Sequence, residues 1–164
     1  MPETRIVLER TESLTRADHQ THRRYRFPVP ENCIELRIHV RYAPKFVSAQ
    51  ESAQLVSSAI RSQVNGLAQR VGQDRADRWA ADFDGADLRV PNLVTISVDD
   101  ARGSYRGAGH RHAEDQQLRL GTTSASPGLV PGPLPAGEWT LTLSVHTLVS
   151  DQCDVDIQIG AEIA

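Results

Sequence analysis

The chain reads as mainly β: an antiparallel β-sandwich of jelly-roll type, about eight strands, with a helical insertion at about 48–83. Three observations carry that reading. Several segments alternate apolar and polar residues with the two-residue period of a sheet that buries one face, most clearly Cys33 to Tyr42 and Trp139 to Leu148. Between strands lies a long crossing, Gly121 to Trp139 (GTTSASPGLVPGPLPAGEW), whose four prolines and four glycines forbid helix and central strand. Only one connection is helical, whereas an α/β fold needs a helix between successive strands.

In chain order, Arg5 to Glu9 (RIVLE) is a short strand and the polar run Thr11 to Gln20 a loop. His22 to Val29 is a second strand that ends where Pro28 and Pro30 remove ladder donors. In Cys33 to Tyr42, Ile34, Leu36, Ile38 and Val40 share one face, and Glu35, Arg37, His39 and Arg41 share the other. Pro44 ends this pattern. Ser48 and Glu51 form a capping box, and Val56, Ile60, Val64, Leu67 and Val71 recur at helical spacing behind it. This predicts a helix from about Ala49 to Gly72, with Gly66 as a weak point, and a second from Gln73 to Phe83. The hairpin is expected to pack on one end or face of the sandwich, or to face a partner.

Leu88 to Asp99 returns to strand, Asp100 to Gly103 is a turn, Ser104 to Ala108 runs back, and Gln116 to Leu120 is short. After the crossing, Trp139 opens a strand in which it, Leu141, Leu143 and Val145 face inward. Cys153 to Ala161 closes the sandwich through Val155, Ile157 and Ile159.

Length and composition narrow the function. A chain of 164 residues makes a single domain by size, and a net charge of −3 with mixed signs offers no field for nucleic acid or anionic membrane. Aromatic residues make up 5%, too few for a stacking platform. No apolar run reaches the length of a membrane span, and the first residues lack the apolar core of a secretory signal, so a cytoplasmic protein is expected. Cys33 and Cys153 lie outside any C-x-x-C pair and read as small buried hydrophobes.

The segments RYRFPVPENCIELRIHVRY, SVDDARGSYRGAGHR and SASPGLVPGPLPAGEWTLTL resemble an accessory domain, the N-terminal β-sandwich that precedes the metallohydrolase domain in PHP-type proteins of the CehA/McbA family. Such domains are also similar to pre-peptidase C-terminal sandwiches. The likeness rests on Val29-Pro30, Asp99-Asp100, Arg106-Gly107, Pro127-Gly128, Pro131-Gly132, and Gly137 with Trp139. Ser126 and Leu129 depart from it, standing where threonine and tyrosine are usual, and the helical segment is longer than the usual connection. The metal-binding motifs of the hydrolase domain do not occur in these residues, so the resemblance implies a fold and not an activity.

Candidate chemistry is sparse. His110 and His112 flank Arg111 ahead of Glu114 and Asp115, a loop with metal ligands but without a third histidine placed beside it by the sequence. Asp82, Asp84 and Asp87 surround Gly85 like the first half of a calcium loop, yet the distal glutamate is missing, with Leu93 at its position. Asp99 and Asp100 read as turn caps, and no nucleophile elbow or phosphate loop occurs. The reading is a non-enzymatic binding or assembly module without a required cofactor. Its partner is itself or a separately encoded enzyme, with Val56 and Ile60 as interface residues. A calcium-stabilised carbohydrate-binding module, with Trp139 as a stacking residue if exposed, is one alternative. A metal-dependent hydrolase built on the His110/His112 loop is another.

Overall fold

The computed structural model describes residues 3–82 and 88–164. Eight strands form two four-stranded antiparallel sheets. The first sheet has the order β1 (Glu3–Thr15), β8 (Gln152–Ile163), β3 (Cys33–Ala43), β6 (Asp115–Gly121). The second has β2 (Thr21–Val29), β7 (Gly137–Thr147), β4 (Leu93–Asp99), β5 (Tyr105–Ala108). Orders 1-8-3-6 and 2-7-4-5 are those of a jelly roll, in which a chain folded as a long hairpin is wrapped so that its two arms alternate between sheets.

Strand alternation builds the core. Leu36, Ile38, Val40 and Tyr42 of β3, with Val155, Ile157 and Ile159 of β8, are buried against Phe27, Val94, Ile96, Val98, Trp139, Leu141, Leu143 and Val145 of the second sheet. One predicted inward residue is outside. A bulge between Cys33 and Glu35 breaks the pairing with β8, so Cys33 is buried and Ile34 exposed.

Sequence patterning misjudged the first strand. β1 runs thirteen residues instead of five, pairing with β8 from Glu3 to Thr15, and a short 3₁₀ turn at Arg16–Asp18 follows where a longer loop is expected. Most of β1 is exposed on both faces, so polar residues fill it and the apolar period is absent. The predicted strand from Leu88 begins only at Leu93, because Pro91 cannot donate to a ladder.

The crossing is fixed by one buried cation. Arg106 on β5 points inward, its side chain 7% exposed, and donates to the carbonyls of Val130, Gly132 and Pro133. Its guanidinium carbon sits 5.3 Å from the ring centre of Trp139, and Asp100 lies 3.6 Å from Nη1. Trp139 is fully buried, tilts against Phe27, and donates from Nε1 to Pro135 at 2.8 Å.

The same crossing pairs with the outer edge of each sheet. Its first half meets β6, with Ser126 N–H donating to Arg119 and Gly121 N–H to Ser124. Its second half meets β5, with Ala108 N–H donating to Gly128 and Val130 N–H to Arg106. This approach needs glycine at Gly107, where φ is +115° and a Cβ would lie 2.1 Å from the Gly128 oxygen.

Contacts divide the chain into two compact units, 1–45 with 92–164 and Phe46–Pro91. In the sandwich unit, Asn92 is fully buried and saturated. It donates to Pro44 and Ser150 and accepts from the N–H groups of Val149 and Ser150. In the helical unit, α1 (Ala49–Val71) begins at the predicted capping box, with Glu51 N–H donating to Ser48 Oγ at 3.1 Å. Gly66 does not interrupt it. Helix α2 (Gln73–Ala81) packs on α1 after a one-residue turn at Gly72, whose φ of +89° a side chain would strain.

Trp139→Ala removes the largest fully buried side chain of the protein and is expected to cost about 3–5 kcal/mol, read as a shift in a urea denaturation midpoint. A cost below about 1 kcal/mol would contradict the burial described for the ring.

Candidate functional site

The sequence-predicted residues do not converge. His110 and His112 lie on an exposed turn, their rings 6.0 Å apart edge to face, and His110 Nδ1 accepts from the His112 N–H. The other histidines are engaged elsewhere. His19 accepts from Leu148 N–H, His22 bonds Ser144, His146 bonds Thr95, and His39 bonds Asp115 at 2.9 Å. Among the described residues no three His, Cys, Asp or Glu side chains group as metal ligands. Asp82 sits exposed in the turn after α2, while Asp84 and Asp87 lie outside the described residues, as does Phe83.

Two further candidates are resolved by position. Trp139 is not a ligand-stacking residue, because its ring is sealed in the core under Arg106. Asp100 caps its turn by accepting from the N–H groups of Arg102 and Ser104. Val56 and Ile60 lie half-buried on α1, with Val64 and Leu67, whereas Val71 is exposed.

Cys33 and Cys153 are buried free thiols at opposite ends of β3, since Cys33 opens that strand and Cys153 lies beside Pro44. Ten strand residues separate these ends, roughly 30 Å, far beyond disulfide reach. Burial pushes the Cys153 thiol up to about 11 and raises that of Cys33.

The solvent faces of the two sheets differ in kind. On the first sheet, facing side chains bond one another. Glu35 accepts from both Arg119 and Arg37, and Arg37 also reaches Glu162. Arg41 and Thr11 hold Asp156, Ser13 and Gln152 hold Asp154, and Gln158 bonds Glu9. The Arg119 bond, with Arg37 behind it, holds the Glu35 carboxyl below its ordinary range, and Ser13 then Gln152 do the same for Asp154. Two depressions of ≈ 470 and ≈ 690 Å³ lie on this face. The smaller is lined by Ile6, Arg37, His39, Arg119 and Gly160, the larger by Arg41, Lys45, Asp115, Asp154 and Asp156.

The second sheet presents small polar side chains in register. Tyr105, Asp99, Thr140 and Arg26 form one row across all four strands, and Ser97, Thr142 and Arg24 the next. The inward side chain of Arg106 sets its neighbour Tyr105 outward, where it is 61% exposed. Sequence reasoning passed over Tyr105, because nothing in the local pattern marks its neighbour Arg106 as the inward residue of the pair.

Fold and surfaces together define a jelly-roll β-sandwich carrying a helical hairpin. Neither a protein-family profile nor a characterised protein sequence matches the chain.

Carboxylates whose titration is depressed in the fold contribute stability above their ordinary range, and that contribution is lost as pH falls through it. The melting temperature is therefore expected to fall as pH drops from about 5 to 3, and Glu35→Gln to flatten that slope. A slope that is the same in the variant contradicts the role given to Glu35. Both thiols should resist a disulfide reagent at pH 8 until denaturant is added, and prompt reaction of either would contradict their burial.

Proposed function

We propose that the protein is a non-catalytic association module, a rigid jelly roll that presents its helical unit to a second copy of itself. A separately encoded enzyme is the other partner consistent with the resemblance to accessory sandwiches of PHP-type hydrolases. One observation carries this reading. Among the described residues of the helical unit, only Val47, Ser52 and Ala76 are buried, while Leu55, Val71, Trp79 and Leu88 are exposed and the stripe Val56, Ile60, Val64, Leu67 is half covered. Helices draw most of their stability from packing an apolar face, and a surface of this kind marks an interaction site.

The composition of α1 supports the same conclusion. Its 23 residues carry only Glu51, Arg61 and Arg70 as charges, the rest being aliphatic, small or uncharged polar. A helix built only to face water normally carries charge on most turns. The whole unit holds five arginines against six carboxylates, so its charges nearly cancel and two copies meet with little repulsion.

The sandwich edges favour no competing mode of association. The crossing pairs with β5 and β6, and the two remaining edges are blunted. β2 carries Arg23, Arg24, Arg26 and Pro28, and β1 turns Arg5, Arg10 and Glu12 toward the inner side, in register with buried Ala161, Ile157 and Val155. Charges, proline and inward-facing ionised groups are the standard protections against strand addition.

Light scattering of the purified chain is expected to give a mass of twice the monomer or more. The double variant Leu55→Asp, Ile60→Asp should be monomeric while the sandwich melts as before. A monomeric wild-type chain at high concentration would remove self-association. An enzyme partner would then be sought by co-purification, with the same variant as the control that must fail to bind.

A further inference from the structure

We infer that the solvent face of the second sheet is a binding site for a short, uncharged oligosaccharide, laid across the strands with one sugar ring against Tyr105. This site is separate from the helical unit and independent of the association proposed above.

The inference starts from the contrast between the two solvent faces. On the first sheet nearly every polar side chain is bonded to a neighbour, as in the Glu35–Arg119 and Asp156–Arg41 pairs. On the second, six adjoining side chains make no hydrogen bond or ion pair among the described residues: Tyr105, Asp99, Thr140, Ser97, Thr142 and Arg24. Asp99, Thr140, Ser97 and Thr142 are moreover half-buried, with their polar atoms left open to solvent at the surface of the sheet. Polar groups that have no protein partner bond water instead, and a ligand that reproduces those bonds can displace that water.

The chemistry of the groups selects the ligand class. Asp99 only accepts, Arg24 only donates, and the hydroxyls of Ser97, Thr140 and Thr142 do both, an array that matches the paired donor and acceptor character of sugar hydroxyls. One negative and one positive group cancel, which disfavours a phosphate polymer or a polycation and favours a neutral ligand. Tyr105, at the edge strand and 61% exposed, supplies a flat apolar surface for the C–H face of a pyranose while its hydroxyl stays in water. Four strands span three spacings, about 14 Å, the reach of an oligosaccharide of a few rings. The far end of the first row is closed by Arg26, held by Glu138 at 3.0 Å.

The site is also stiff. Val94, Ile96, Val98, Leu141 and Leu143 alternate with its residues and are locked in the core, so the hydroxyl positions are set before a ligand arrives. Preorganisation of this kind lowers the entropy lost on binding.

The test is an amide NMR titration of the full chain with unbranched tetrasaccharides: β-1,4-glucan, β-1,4-xylan, β-1,4-mannan, α-1,4-glucan and β-1,4-linked N-acetylglucosamine. At least one is expected to give saturable shifts centred on Ser97, Asp99, Tyr105, Thr140 and Thr142. Tyr105→Ala should weaken that binding about tenfold or more at an unchanged melting temperature, as removal of an exposed aromatic anchor does. Arg37→Ala, on the other sheet, should leave it unchanged. The inference is overturned if no tetrasaccharide shifts these amides, if the shifts fall on the first sheet, or if Tyr105→Ala binds as the wild type does.

Discussion

The buried guanidinium of Arg106 is the interaction on which the rest of this structure depends. A charge in that position is costly unless every donor is answered, and here the answers come from three carbonyls of the crossing, the Asp100 carboxylate and the Trp139 ring. The carbonyls belong to a segment whose prolines leave it few donors and no ladder of its own. Proline-rich backbone with few internal hydrogen bonds therefore finds its partner in a cation, and the cation finds its partners in the backbone. Gly107 and Gly128 allow the two chains to approach closely enough for this to happen.

From that one anchorage follow both closed edges of the sandwich. The crossing lies along β6 and then β5 with its Val130, Gly132 and Pro133 carbonyls held by Arg106, and by doing so it covers two of the four edges open to strand addition. Since the other two are charged, the sandwich is left as a scaffold whose remaining interaction surfaces are its two solvent faces and the helical unit. One solvent face is internally bonded. The other leaves Ser97, Asp99, Tyr105, Thr140 and Thr142 without protein partners, and on the helical unit Leu55, Val71, Trp79 and Leu88 are exposed.

Legibility in the sequence followed burial. Strands β3, β7 and β8 bury one face and expose the other, so their two-residue period reads directly, and helix α1 is announced by Ser48, Glu51 and its stripe. β1 was hidden because a strand exposed on both faces has no reason to alternate. The bulge at Ile34 was hidden because it depends on pairing with Glu162 and Ile163 of β8, far along the chain, which no local pattern encodes. The candidate sites were less legible than the fold. Arg106 drew notice only as half of an Arg-Gly pair, because a buried arginine looks like any other until the carbonyls around it are known. The free hydroxyls of the second sheet look like ordinary strand residues, and only the absence of partners across the register sets them apart.

The account holds that the crossing, both of its edges and the Arg106 cage form one cooperative unit. Native-state hydrogen exchange under rising denaturant tests this most directly, at the amides of Gly121, Ser126, Ala108 and Val130. These four should share a single opening free energy, close to that of the core amide of Leu141, because releasing either edge requires releasing Arg106. If Gly121 and Ser126 open at much lower free energy than Ala108 and Val130, the two edges are held independently, and the central role given to Arg106 is wrong.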